Sequence, residues 1–179
     1  MGNRQSTRIE SLTIEMTSEE IKQYFTGKWY ELVRTDVIFE KGCSDATAEY
    51  QYGDVVQIVN TCTKTDKDKK KSTRLRATKH DTETDVASFD VGLTRAETGR
   101  YNILYNRNGV AVVAGSKWRS FWLLSRDKDL PHAEICAVLE PFFPYLRDQT
   151  LVYNDGEPCV EKPRRVLRAI RRIIRVEVT

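Results

Sequence analysis

The segment that decides the fold is Gly27-Lys28-Trp29-Tyr30-Glu31-Leu32-Val33-Arg34. It follows a short stretch, opened by a capping-type threonine and two acidic residues, that predicts a helix. Gly27 permits a tight turn from that helix into an extended strand. Because side chains alternate between the two faces of a strand, we expect one face here to present Trp29, Glu31 and Val33.

Seven more strand-like runs follow this segment, separated by turn signals about every ten residues. They cover residues 47–52, 55–62, 73–79, 86–91, 101–105, 110–114 and 119–125. Short runs at this spacing predict an all-β fold, either an antiparallel sandwich or an up-and-down barrel. A helix is predicted from Pro131 to Pro144, followed by one more extended run at 148–153.

The charge of the chain is unevenly distributed along its length. Its 179 residues, enough for one domain, carry a net charge of +3. Seven basic and two acidic residues lie between Glu161 and Thr179, so this tail carries +5 and the first 160 residues carry −2. No run approaches the roughly 18 apolar residues of a transmembrane helix, and the start of the chain lacks the apolar run of a signal peptide. We therefore expect a cytosolic protein.

Four cysteines leave the redox chemistry open, because an even number fits disulfides in a secreted protein but thiols in the cytosol. They are Cys43, Cys62, Cys136 and Cys159. None of them shows Cys-x-x-Cys spacing, and neither His80 nor His132 is expected to share a metal ion with a cysteine. The sequence therefore predicts no metal site. The sequence also contains no serine triad and no phosphate-cradling glycine loop, and we expect no cofactor.

Three segments resemble the signatures of the lipocalin family. Gly27, Trp29 and Tyr30 match a Gly-x-Trp-Tyr motif after a short helix, and the pattern continues through 39–42 and 46–50. Residues 121–126, followed by Leu130-Pro131 and a helix, resemble the family's third conserved segment. The similarity spans roughly residues 24–160 and is greatest to the branch of bacterial outer-membrane lipocalins, plant temperature-induced lipocalins and apolipoprotein D. The family's second motif is replaced here by residues 106–109.

The resemblance implies an eight-stranded antiparallel up-and-down barrel with a flanking C-terminal helix. It also implies a cation–π contact between Trp29 and Arg126 at the closed end of the barrel. A barrel of eight strands has room for one small ligand. Strand parity and the family pattern then give the expected ligand-binding residues, which are Val33, Phe39, Ala48, Tyr50, Trp122 and Leu124. Since no cluster of inward charges is evident, we expect an apolar ligand such as a fatty acid, a lysophospholipid or a sterol.

The resemblance also bears on the cysteines. In the family a common disulfide ties an early strand to the segment beyond the long helix, where Cys159 lies, and its partner here would be Cys62 or Cys43. Cys136 is then expected to be a small buried hydrophobe. One lipocalin enzyme has a cysteine nucleophile near the start of its second strand, where Cys43 lies, but Cys43 lacks an activating neighbour in the sequence. We therefore expect a binding protein rather than an enzyme.

Both ends of the chain suggest contact with a membrane. Residues 1–6 fit the pattern for myristoylation of Gly2. Residues 162–176 combine an apolar stripe with an arginine stripe, which is typical of a helix lying on an anionic bilayer. The same tail fits docking to an acidic partner, contact with nucleic acid (the less favoured reading) or packing on the barrel wall. The sequence thus predicts a flexible segment at 1–16 that carries the myristoylation pattern, a lipocalin domain at 17–160 and a basic amphipathic tail at 161–179. The predicted function is lipid binding at a membrane surface.

Overall fold

The computed structural model describes residues 9–37, 40–94 and 96–159, which form nine strands and two α-helices. The helices are α1 (Ser18–Tyr24) and α2 (His132–Leu139), with 3₁₀ helices at Ile9–Leu12, Ser116–Trp118 and Glu140–Tyr145. The strands are β1 (Gly27–Thr35), β2 (Cys43–Gln51), β3 (Val56–Lys64), β4 (Lys69–Lys79), β5 (Ser88–Gly92), β6 (Thr98–Arg107), β7 (Val110–Ala114), β8 (Phe121–Ser125) and β9 (Leu151–Tyr153).

Strands β1 to β8 form a closed antiparallel barrel in which each strand pairs with its neighbours in sequence. Closure comes from β1, which pairs with β8 on one edge and with β2 on the other. Helix α2 follows the last barrel strand, and β9 then adds to β1 beyond the point where β2 leaves it. The predicted eight-stranded up-and-down barrel with a flanking C-terminal helix is confirmed.

A β-bulge interrupts the pairing of β1 with β8. Glu31 lies opposite Leu124, whereas Val33 lies opposite Leu123, so β1 carries one extra residue at this point. An extra residue inverts the facing of every side chain that follows it. The predicted inward position of Val33 is therefore wrong: Val33 packs outside the barrel wall, and Arg34 turns inward instead.

Two hydrophobic clusters lie on opposite sides of the barrel wall. The inner cluster fills the closed end around Phe25, Trp29 and Tyr50. The outer cluster packs Ile135 and Leu139 of α2, together with Phe142, against β7 and β8. Strand β7 is buried on both faces, which explains why its sequence is apolar throughout instead of alternating.

The closed end of the barrel is organised around Trp29. The Arg126 guanidinium carbon lies 3.9 Å from the centre of the Trp29 ring, which confirms the predicted cation–π contact. Arg126 also donates to the carbonyls of Lys28, Gln23 and Tyr24 at 2.8, 3.0 and 3.1 Å. One side chain thus joins the end of β8 to α1 and the start of β1. Gly27 has a φ of +79°, a backbone conformation that residues other than glycine adopt only with strain.

The helix ahead of β1 begins as its sequence predicts. The Thr17 hydroxyl accepts from the Glu20 backbone at 3.3 Å, and the Glu20 carboxylate accepts from the Thr17 backbone at 2.8 Å, which forms a capping box. Residues 9–16, expected to belong to a flexible N-terminal segment, pack on the barrel instead. Ile9 and Met16 are buried, and the backbone of Ile14 bonds to β6.

The region after β8 departs from its prediction in one detail. Helix α2 ends at Leu139, and a 3₁₀ helix continues through Pro144 to Tyr145. Over the ranges that the structure describes, no helix combines the length and apolarity needed to cross a bilayer. Gly2 and the basic tail at 162–176 fall outside the described residues.

The disulfide pairing differs from the one that the family resemblance implied. Cys43 bonds to Cys62 across the neighbouring strands β2 and β3, and Cys136 bonds to Cys159. Pairing of β9 with β1 returns the chain to α2, which leaves the Cα atoms of Cys136 and Cys159 5.4 Å apart. The predictions that Cys159 pairs with Cys62 or Cys43, and that Cys136 is a free buried thiol, are therefore wrong.

Replacing Arg126 should destabilise the barrel, because the substitution removes a ring contact and three hydrogen bonds to backbone carbonyls. We expect Arg126→Ala to lower the free energy of unfolding by about 2–3 kcal/mol in urea titrations. Arg126→Lys should lose less free energy of unfolding than Arg126→Ala, because it keeps the positive charge. It should still be less stable than the wild type, because lysine lacks the planar fork of donors. The control is Arg76→Ala, at an exposed position in β4. Equal stabilities for the Arg126 and Arg76 alanine variants would contradict this role.

Candidate functional site

The barrel encloses a cavity of about 580 Å³. Apolar atoms make up most of the surface of its wall, with Ile58, Leu75 and Val91 among the contributing side chains. The inner cluster around Trp29 closes one end, whereas Leu93 and Glu97, in the connection between β5 and β6, line the other. The volume falls within the range typical of a site for one small molecule.

Four of the residues predicted to bind ligand line this cavity. They are Ala48, Tyr50, Trp122 and Leu124. The bulge in β1 removes Val33 from the set. Phe39, also expected to bind ligand, lies outside the described residues.

Three tyrosine hydroxyls meet at the floor of the cavity. Tyr101 lies 2.5 Å from the Tyr24 hydroxyl and 3.0 Å from that of Tyr50. Burial raises the pKa of Tyr50 to about 12, so its hydroxyl stays protonated at neutral pH. Tyr50 and Tyr101 line the cavity, so their hydroxyl groups are placed to hydrogen-bond with a polar atom of a ligand.

A charged cluster lies higher on the wall and is centred on Arg34, which is only 5% exposed. Its Nε lies 3.1 Å from a carboxylate oxygen of Glu31 and 3.7 Å from one of Glu40. Its Nη2 donates to the carbonyls of Glu40 and Cys43, both at 3.3 Å. The Trp122 indole donates to Glu40 at 3.2 Å. The cluster thus fastens the residues ahead of β2 to the inner wall.

The two carboxyl groups of this cluster compete for one guanidinium. Burial, reinforced by the nearby Glu40 carboxylate, raises the pKa of Glu31 to about 8, against the opposing effect of Arg34. Burial also raises the pKa of Glu40. Near neutral pH the cluster therefore tends to hold one proton and little net charge. The expectation that no inward charges line the cavity is wrong.

Sequence reasoning placed Glu31 on the inner face but missed Arg34 and Glu40. An arginine at the end of an apolar run, three residues after a glutamate, was the available signal. The bulge that turns Arg34 inward depends on the pairing with β8, and no local pattern marks it.

The Cys43–Cys62 disulfide also lines the cavity. An enzyme of the kind considered from the sequence would need the Cys43 thiolate as its nucleophile. The bond to Cys62 occupies that sulfur. The geometry therefore offers no nucleophile at this position.

Comparisons with known proteins agree with this architecture. The sequence model of the family described as lipocalin-like domain matches residues 20–142. A protein of Acanthamoeba polyphaga mimivirus that carries the name lipocalin R877 is 37% identical over 51 residues. That match covers 27% of this chain and 30% of the viral protein.

Solved structures share the fold at low sequence identity. Insecticyanin from the tobacco hornworm Manduca sexta gives a TM-score of 0.65 at 15% identity, covering 84% of this chain and 86% of its own. The cockroach allergen Per a 4 gives 0.58 at 18% identity, covering 79% and 90%. Lobster apocrustacyanin A1 gives 0.58 at 10% identity, covering 79% and 82%.

The raised pKa of Glu31 predicts a pH-dependent stability. A carboxyl group whose pKa is higher in the folded than in the unfolded state destabilises the fold as pH rises from about 5 to about 8. Between pH 5 and pH 8 the wild type should therefore lose on the order of 1–2 kcal/mol of unfolding free energy that the Glu31→Gln variant keeps, because glutamine does not ionise. Urea titrations at pH 5 and pH 8 measure the difference. The same substitution at exposed Glu49 is the control, and identical profiles for the two variants would contradict the assignment.

Proposed function

This chain belongs to the lipocalin family, and on that premise we propose that it binds and sequesters one small lipid or other hydrophobic molecule in its barrel. The observation that carries the proposal is the cavity itself, which is closed at one end by the Trp29 cluster and presents a mainly apolar surface. Removing apolar ligand surface from water supplies the binding free energy, about 25 cal/mol per Å² buried.

Polar groups at two levels of the cavity favour an amphipathic ligand. The hydroxyls of Tyr50 and Tyr101 at the floor can hydrogen-bond with one polar group of a ligand. Glu31 and Glu40 disfavour an anionic group at their own level, since burial already works against the charged form of both carboxyls. Neutral lipids with one oxygen function, the sterol class among them, therefore fit the wall better than a carboxylate placed beside Glu31.

Binding without catalysis is the activity that we infer. All four cysteines, which lie in the described part of the chain, are in disulfides, so none of them is a free nucleophile. In the charged cluster, Trp122 donates to the Glu40 carboxylate and Arg34 to the Glu40 carbonyl, an arrangement that stabilises the wall. The resemblance to the outer-membrane, plant and apolipoprotein D branch stays a prediction.

Titration with a dansyl-labelled lipid alcohol tests the binding proposal. Binding should raise dansyl emission. Because Trp122 lines the cavity, the bound dansyl group should also accept excitation energy from the Trp122 indole. Leu75→Trp adds bulk inside the cavity and should weaken binding by at least about tenfold. Arg74→Trp places the same ring on the exposed face of β4 and is the matched control. Equal loss in both variants, or no binding by the wild type, would contradict the proposal.

We further propose that the protein works at a membrane surface. The support is the sequence of its two ends. A myristoyl chain on Gly2 gives a membrane affinity of only about 10⁴ M⁻¹, so stable attachment needs a second signal. The arginine-rich segment 162–176 supplies one, at about 1 kcal/mol per basic residue near an anionic bilayer.

Flotation with liposomes tests this location independently of the cavity. We expect the full, myristoylated chain to float with phosphatidylserine-containing liposomes and to bind neutral ones less. Deleting residues 162–179 should abolish the preference for anionic lipid, and Gly2→Ala should weaken the remaining attachment. Unchanged flotation of a chain that carries both changes would overturn the proposal. If the tail binds acidic polypeptides as tightly as it binds anionic liposomes, its target is instead a protein partner.

A further inference from the structure

A histidine, a carboxylate and two sulfurs converge where α2 meets the segment after β9. The ligand-type atoms of His132, Cys136 and Cys159 all lie within 4.8 Å of one another. His132 Nε2 is 3.2 Å from Cys136 Sγ. Among the residues that the structure describes, no other three histidine, cysteine or acidic side chains are gathered this closely. The cluster lies outside the barrel, apart from the ligand cavity.

We propose that reduction of the Cys136–Cys159 disulfide converts this cluster into a zinc site. Its ligands are His132 Nε2 and the two sulfurs, and its fourth position is open to water. One imidazole and two thiolates form a donor set that suits Zn²⁺. The proposal is independent of lipid binding.

The orientation of the histidine is the second observation that points to a metal. His132 Nδ1 lies 2.9 Å from a carboxylate oxygen of Asp155. A carboxylate on Nδ1 holds that nitrogen as the N–H donor and leaves Nε2 with its lone pair, directed at the sulfurs. Metal-binding histidines almost always carry a partner of this kind. Asp155 acts as a positioning residue in this arrangement.

The scaffold of the site does not depend on the disulfide. Ile135 and Leu139 anchor α2 in the outer hydrophobic cluster. On the other side, β9 pairs with β1, and the Asn154 backbone donates to the Leu32 carbonyl at 2.8 Å. Both sulfurs therefore stay close after reduction. Two sulfurs on a tetrahedral zinc lie about 3.8 Å apart, a separation that side-chain rotation can supply across Cα atoms 5.4 Å apart.

The chemistry of the switch balances with an ordinary thiol as reductant. Two thiol molecules give up two electrons and two protons to the disulfide, which becomes two cysteine thiols, and they leave as their own disulfide. Each cysteine thiol releases its proton as its sulfur binds zinc. The His132 side chain is 28% exposed, so both the reductant and the metal ion have access from solvent.

The chain contains its own control for the redox step. Cys43–Cys62 is also a disulfide, but no histidine is in contact with it among the described residues. A variant with Cys43→Ser and Cys62→Ser therefore keeps only the proposed site. A variant with Cys136→Ser and Cys159→Ser keeps only the other pair.

Cobalt binding to the full chain, reduced with a phosphine, tests the proposal. We expect one Co²⁺ per chain, with the thiolate charge-transfer and intense visible bands of tetrahedral cobalt, and displacement by Zn²⁺. The oxidised protein and the Cys136/Cys159 variant should show none of these bands, whereas the Cys43/Cys62 variant should match the wild type. His132→Ala should weaken Zn²⁺ binding at least about 100-fold and Asp155→Asn about 10–100-fold, measured against a chromophoric chelator.

The other outcomes overturn the proposal. Among them are absence of the bands in the reduced wild type, and cobalt binding that survives His132→Ala unchanged. Loss of the cobalt bands in the Cys43/Cys62 variant would mean that the metal binds at Cys43 and Cys62 instead. Far-ultraviolet circular dichroism and a urea titration of each reduced variant show whether the barrel is folded. If His132→Ala failed to fold, His132→Gln, which keeps a hydrogen-bonding group there, should still lose the cobalt bands.

Discussion

Strand β1 uses both of its hydrogen-bonding edges, and the rest of the molecule depends on that constraint. One edge pairs with β8, and the other is divided between β2 and β9. Pairing of β1 with both β8 and β2 closes the barrel and creates the cavity. Pairing of β1 with β9 brings the segment after β9 back to α2, where the Cys136–Cys159 disulfide forms. Arg126 and Trp29 stabilise the start of this strand, at the point where the barrel is closed.

A single extra residue in β1 gives the cavity its chemical character. Without the bulge, Val33 would lie opposite Trp122 and the wall would be apolar at that level. With it, Arg34 faces inward between Glu31 and Glu40 and is held by the carbonyls ahead of β2. Buried charges of this kind require partners, and each of these groups has at least one. The cavity therefore has an apolar middle, a hydroxyl-bearing floor and a charged level above it.

The sequence predicted those features that depend on local patterns and failed where distant pairing decides. Gly27, Trp29 and Arg126 belong to recognisable segments, and the alternation in β2 and β8 correctly placed Tyr50 and Trp122 on the inner face. Val33 was misplaced because a bulge is set by the register of the partner strand. The disulfides were misassigned because the return of β9 to β1 leaves no sign in cysteine spacing. The His132–Asp155 contact joins residues 23 positions apart, although the one-turn spacing of His132 and Cys136 was visible in the sequence.

Native mass spectrometry of the purified protein tests whether the barrel holds one hydrophobic molecule. We expect a folded species heavier than the polypeptide by the mass of one lipid, with that mass lost on organic extraction and identified in the extract. Re-exposure of the extracted protein to a total lipid extract should restore a single bound molecule. A folded protein that shows only the mass of the polypeptide, before and after such exposure, would mean that the barrel does not bind lipid.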